Sequence, residues 1–305
     1  MNRKLVKQGA ATLMISLPSK WTKAQNLGKG DEVNIEESQN SLIISKGGEE
    51  KTKKHAKITL SNSTESSTRT VIVNAYRAGY DIIEIYYQDE KQYKILLNTL
   101  KDYIIGFDIT KKEKDRCIIE NITEPSEEQF EILFKKILYK ISVLIDGTRE
   151  RLKQNSKFEE YKEVVMSIHQ YDNFCRRVIS KRNLPESTEN LLWTFLALLI
   201  HGQRELYHLN RFLDNNKVQF RNFEFYDSMK ELFNNMQEGC IKKDVSKLEK
   251  VHEMEKKIIY DQLYKLIQKN QKENIVLFHL AAAVKDFYLA TSPMIGLLLE
   301  SSVSK

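Results

Sequence analysis

The hydrophobic period of this chain changes once, at Pro125, and that change rules out a single uniform architecture. Before it, apolar residues come in short runs such as Thr12 to Leu17, Ile82 to Tyr87 and Cys117 to Ile122, bounded by glycine, proline or polar turns, as strands require. After it, Phe130, Leu133, Phe134, Ile137, Leu138, Ile141, Leu144 and Ile145 recur at helical spacing, and the same period returns in Leu248, Val251, Ile258, Ile259, Leu263 and Leu266. The later part predicts helices over 126–154, 157–182, 186–214, 222–241, 244–269 and 272–301. Short breaks at 182–185 and 214–216 make sequential neighbours antiparallel, so a helical bundle follows. Pro293 is expected to kink the last helix or to start a new turn.

The first residues are more punctuated. A strand ends near Gly9, a second from Thr12 to Leu17 stops at Pro18, and Pro18 launches a helix from Ser19 to Leu27 that carries Trp21 and Ala24 toward a core. Gly28 is expected to end that helix, and Gly30-Asp31 turns the chain into a strand from Glu32 to Glu37, followed by Leu42 to Ser45. So few residues bury too little surface to stand alone, which calls for an obligate dimer. The stretch 47–57 is poor in apolar residues and reads as a linker. Beyond it, strand signals at Ile58 to Leu60, Ile82 to Tyr87, Ile105 to Ile109 and Cys117 to Ile122 alternate with helices at Thr64 to Ala78 and Gln92 to Tyr103, a small α/β unit. The expected fold class is multi-domain α+β, with boundaries at 1–47, 56–123 and 126–305.

Among the 305 residues, Cys117, Cys175 and Cys240 lie far apart with no CxxC spacing, which points to a reducing, cytoplasmic compartment. The longest apolar runs, Leu191 to Ile200 and Ile295 to Leu299, fall short of the about 20 residues a bilayer needs, so no membrane span is expected. The net charge of +6 matters less than its placement. Arg3, Lys4, Lys7, Lys20, Lys23 and Lys29 all precede the first acidic residue, Asp31, which suits a polyanionic partner.

The run "RKLVKQGAATLMISLPSKWTKAQNLGKGDEVNIE" resembles the SpoVT/AbrB swapped-hairpin domain in its basic start, its glycine before the second strand, its Ser-Leu-Pro-x-x-Trp step and its Leu-x-x-Gly-Asp-x-Val corner. With "RTVIVNAYRAGYDIIEIYY", "LKDYIIGFDI" and an all-helical tail, the whole chain is similar to archaeal phosphate-uptake regulators, which join this module to a PhoU-like bundle. The resemblance implies a swapped-hairpin homodimer, an α/β connector and a PhoU-like bundle acting as sensor or docking module. It implies double-stranded DNA as partner, held by Arg3, Lys4, Lys7, Lys20 and Lys23, and a role in phosphate homeostasis. Lysine predominates in this patch, so phosphate contact is better served than base readout. The alternative is an adaptor that docks on a phosphate ABC transporter component or a signalling protein and uses the hairpin only to dimerise.

PhoU-like bundles carry acidic repeats one helical turn apart that hold iron or other hard cations. Here "SIHQYDNFCRR" keeps Asp172 with Ile168 one turn before it, and "IHGQRELYHLN" has Gln203 and Tyr207 where carboxylates would stand. No cofactor is therefore expected; His169 and Asp172 are the weak candidates for a single divalent or ferric ion. His201 with His208, and the Glu249, His252, Glu253 and Glu255 cluster, read as packing histidines and solvated charge. No nucleophile elbow, phosphate-cradling glycine loop or HExxH is present, so a non-enzymatic protein is expected. The aromatic run "VQFRNFEFY", 218–226, has no helical period and either caps the bundle or docks a partner.

Overall fold

A computed structural model describes the chain except for residues 1, 10–11, 39–40, 48–52, 62–63, 124–125, 155, 183, 270–272 and 304–305. It divides into two compact units, residues 1–52 and 53–303.

In the first unit, β1 (Val6–Gln8) pairs antiparallel with β2 (Thr12–Met14), setting Val6 opposite Met14 and Lys7 opposite Leu13. Helix α1 (Ser19–Ala24) follows Pro18, whose carbonyl accepts from the amides of Trp21 and Thr22. It ends three residues sooner than expected. Asn26, not Gly28, takes the left-handed conformation (φ 53°), a role asparagine tolerates at helix ends. Gly28 instead donates its amide to Asp31 Oδ2 at 2.7 Å, and Gly30, at φ 96°, turns the chain into β3 (Val33–Ser38), which pairs with β4 (Ser41–Lys46). Trp21 is only half-buried and Ala24 is exposed, so the core expected beneath α1 is absent within one chain.

The second unit opens with β5 (His55–Thr59), α2 (Glu65–Arg77), β6 (Ile82–Tyr86), α3 (Glu90–Tyr103), β7 (Phe107–Lys112) and β8 (Arg116–Asn121). Thr64 caps α2 by accepting from the Ser67 amide, and Asp89 caps α3 by accepting from that of Gln92. The strands form one sheet in the order β5-β6-β8-β7, with β5 and β6 parallel and the other pairs antiparallel. One face buries Ile83, Ile85, Cys117 and Ile119 against Ile72 and Tyr76 of α2 and Leu96 of α3. The other face is polar: Glu84 accepts from Arg116 Nη1 and Tyr86 Oη and meets Lys57 at 3.4 Å.

The helices α4 (Glu127–Gln154), α5 (Tyr161–Lys181), α6 (Glu186–Leu213), α7 (Phe223–Lys242), α8 (Val245–Lys256), α9 (Tyr264–Lys269) and α10 (Asn274–Val303) share a single core. Between α8 and α9, Lys257–Leu263 forms a π-helical stretch inside what the sequence reads as one helix. The helix α10 runs on through Pro293 instead of restarting there. Gly202 of α6 is needed for close approach to α10, because a Cβ there would stand 2.5 Å from the Phe287 ring. By length and composition alone 274–300 qualifies as a membrane-spanning helix, which the uninterrupted apolar runs did not suggest; half of that stretch, Val284 and Phe287 included, is packed into the core. The aromatic run does cap the bundle, with Phe220, Phe225 and Tyr226 buried. Cys117, Cys175 and Cys240 are free and buried, and burial raises all three thiols, Cys117 to about 11 and Cys240 to about 12.

Helix α5 fastens the α/β layer to the bundle through buried charge. Arg177 is 1% exposed in its side chain. It donates to the carbonyls of Tyr76 (3.2 Å) and Tyr80 (2.7 Å) and to Asp81 Oδ1 (2.7 Å), so it closes the end of α2. Lys181 Nζ shares Asp81 Oδ1 at 2.6 Å, while Asp81 Oδ2 accepts from the Lys54 amide at 3.0 Å. Burial opposes ionisation of Asp81, but Lys181, the Lys54 amide and Arg177 outweigh it and hold the carboxyl below its usual range. A carboxylate that ties strand, helix and bundle together in this way is a structural anchor.

Candidate nucleic-acid interface

The basic residues expected to meet DNA lie in the first unit and all are exposed. Arg3 and Lys4 precede β1, Lys7 is on β1, and Lys20 and Lys23 are on α1. None makes an ion pair among the described residues, so their charge is available to an outside partner. Their scaffold is incomplete within one chain. Opposed residues of an antiparallel pair share a face, so Lys7 and Leu13 lie on one side of the β1–β2 hairpin and Val6 and Met14 on the other. Leu13 is 62% exposed, Val6 57% and Met14 43%. On β3–β4, Val33, Ile35, Leu42 and Ile44 fall on one face by register, and Ile35 (58%) and Leu42 (61%) are open to solvent. Not one described side chain of residues 1–52 is buried.

Residues 6–52 match the family described as antidote-toxin recognition MazE, bacterial antitoxin. The opening segment is therefore MazE-like, in keeping with its SpoVT/AbrB-like pattern. That match ends at residue 52, where the first compact unit also ends. MazE/AbrB-like domains are non-enzymatic and compatible with a DNA-binding regulator or an antitoxin-like role. The MazE match bears on no residue beyond 52, and comparison with curated proteins and with solved structures returns no match.

His169 and Asp172, the pair considered for a metal ion, sit in surroundings that repel one. Asp172 is fully buried, and its oxygens accept from Arg176 Nε (2.9 and 3.1 Å) and Arg77 Nη2 (3.0 Å). Arg77 Nε also donates to Asn173 Oδ1, at 2.8 Å. Burial, then the charges of Arg204, Arg77 and Arg69, push the His169 pKa down to about 4. With both oxygens of Asp172 held by Arg77 and Arg176, the pair presents no free carboxylate to a metal ion. Sequence reasoning missed this arginine cluster, although the Arg176-Arg177 pair beside Asp172 was a visible sign of it. Among the described residues no group of three or more His, Cys, Asp or Glu side chains is arranged to hold a metal ion. His201, expected to be a packing residue, is exposed, and His208 is half-buried edge-on to Tyr207; His252, expected to be part of a solvated charge cluster, is half-buried with Nε2 3.0 Å from Thr291 Oγ1. Glu255, read as solvated, is buried.

Proposed function

We propose that this protein is a dimeric, DNA-binding transcriptional regulator whose second unit serves as a sensor or docking module. The observation that carries this reading is the first unit's lack of any buried described side chain, together with five exposed cations on the same scaffold that make no ion pair among the described residues. Two copies interlacing their hairpins would cover the apolar faces, and the cations of both would then address one duplex, releasing counterions from its phosphates. The MazE-like match supports a module of this kind. The similarity of residues 65–123 and of the helical tail to phosphate-uptake regulators makes phosphate-uptake genes the targets we propose, and a cytoplasmic location goes with that role.

A second reading comes from the words of the matched family, which describe toxin recognition: the hairpin dimer is then a clasp, and the protein is an adaptor for another protein, such as a transporter component or a signalling protein. Fluorescence anisotropy with the protein's own upstream DNA, across a salt series, separates the two. Replacing Arg3, Lys4 and Lys7 with glutamine removes six charges from a dimer. If each meets a phosphate, the slope of log K against log salt should flatten by about 5, from about 0.9 per contact. Binding no tighter than to random DNA, with an unchanged slope in the variant, favours the adaptor.

A further inference from the structure

The helix α10 differs from its neighbours in what it turns outward. Helix α8 shows Glu249, Lys250, Glu253 and Lys256 to solvent, whereas of the exposed, described residues of α10 only Lys285 is charged. Its open stripe runs through positions 275, 278, 282, 285, 289, 292, 296 and 299, of which 282 and 296 are half-buried and the others exposed. Ile275 is 48% exposed, Phe278 65%, Leu289 46% and Leu299 54%, and Ala282, Ser292 and Gly296 are small. The steps alternate between three and four, the period of a seam between two supercoiled helices. Lipid is a poor cover for this stripe, because Lys285 stands near its middle, where a charge in hydrocarbon is expensive.

The stripe is also complementary to itself. Its steps read the same in both directions, so two copies laid antiparallel about residue 287 set Ile275 opposite Leu299, Phe278 opposite Gly296, Ala282 opposite Ser292 and Lys285 opposite Leu289. The largest side chain thus meets a residue without one. A parallel pair would instead stack Phe278 on Phe278 and put two Lys285 charges in one layer, where they repel. In the antiparallel pair Lys285 also comes within one turn of Asp286 on the second copy. Asp286 is half-buried, and neither it nor Lys285 makes an ion pair among the described residues. Burial pushes the Asp286 carboxyl up, His201 pulls it down and Glu205 pushes it up again, so a further cation beside it is favourable.

We propose that α10 forms an antiparallel seam with α10 of a second copy of this chain. Its four large apolar side chains, even when fully covered, bury less than the about 800 Å² per partner of a stable interface. The seam is therefore weak alone, and it closes once the hairpins hold two chains together and raise their effective concentration. In this it rests on the dimeric reading above, and it fixes the register in which the second units of a dimer meet.

Cross-linking of engineered cysteines in the full-length protein tests that register, since Cys117, Cys175 and Cys240 are buried. At a rise of about 1.5 Å per residue, the two copies of residue 289 lie about 6 Å apart along the helix axis in the antiparallel pair, and the two copies of residue 275 about 36 Å. A short bis-maleimide should therefore join Leu289→Cys chains at least tenfold better than Ile275→Cys chains, and adding Leu299→Cys to Ile275→Cys should restore the yield. Phe278→Glu, at an exposed position, should cut the Leu289→Cys yield at least tenfold without moving the thermal midpoint, while sedimentation still shows a dimer. A dimeric parent with no cross-link at 289, equal yields at 275 and 289, or indifference to Phe278→Glu would each overturn the seam and leave the hairpin dimer standing. A monomeric parent would remove both. Flotation with phosphatidylcholine–phosphatidylglycerol vesicles that is lost in Phe278→Glu would give the stripe to lipid and end the proposal.

Discussion

Leu13 on β2 is 62% exposed and Leu138 on α4 is fully buried, and each is typical of its unit. Burying one such side chain contributes roughly 1.5 to 3 kcal/mol. The second unit collects that contribution from dozens of side chains in two clusters, one on the sheet and one among the helices. The first unit, on its own, collects almost none of it. The lesson is that stability has different sources in the two regions: intramolecular packing holds one, and the other depends on what covers it.

The hairpins' dependence on cover predicts the strongest response to mutation. If a second copy covers the hairpins, Leu13→Asp together with Ile35→Asp should convert a dimer to a monomer in sedimentation equilibrium and abolish the unfolding transition of residues 1–52, leaving that of residues 53–303 in place. In the parent protein the first transition should rise with concentration and the second should not. Concentration independence of both would end the contrast.

Next in size is the anchor between sheet and bundle. Asp81→Ala leaves Arg177 buried without its carboxylate, and removing one partner of a buried pair costs about 3 to 5 kcal/mol. Chemical denaturation should report that loss in the second unit and no change in the first. Gly202→Val comes third, since its side chain would enter the Phe287 ring; overpacking of this kind costs about 1 to 3 kcal/mol.

The smallest effect is a pH dependence. Burial and the neighbouring arginines push the His169 imidazole down from its ordinary 6.5 to about 4, so the unfolded chain binds more protons between these values. Its contribution is present above pH 6.5 and is lost as the pH falls toward 4, on the order of 1 kcal/mol between pH 7 and 5. His169→Asn should flatten that part of the stability profile, measured as the denaturation midpoint of the second unit against pH.

The long helices were legible because their period repeats over many turns: 186–214 was expected, and α6 spans Glu186–Leu213. The Gly30-Asp31 corner was legible because its turn chemistry is local. The early end of α1 was not, since Asn26 and Gly28 both suit a helix terminus and only the Gly28 bond to Asp31 decides between them. The anchor escaped because its partners, Asp81 and Arg177, stand 96 residues apart. The π-helical stretch escaped because its apolar spacing, Ile258, Ile259 and Leu263, fits an α-helix equally well. The basic face was legible as composition, and its residues are exposed, but the hairpin's need for cover appears only once both of its sides carry open apolar side chains.

The three buried thiols have a practical consequence for the bench. With Cys117 raised to about 11, about a thousandth of its thiol is thiolate at pH 8, and Cys240, at about 12, is rarer still. Cys175, raised as well, is just as enclosed. The folded protein should be nearly silent toward maleimides without removing a native cysteine. A dye attached through Lys20→Cys or Lys257→Cys would then report from one chosen place, against a dark background.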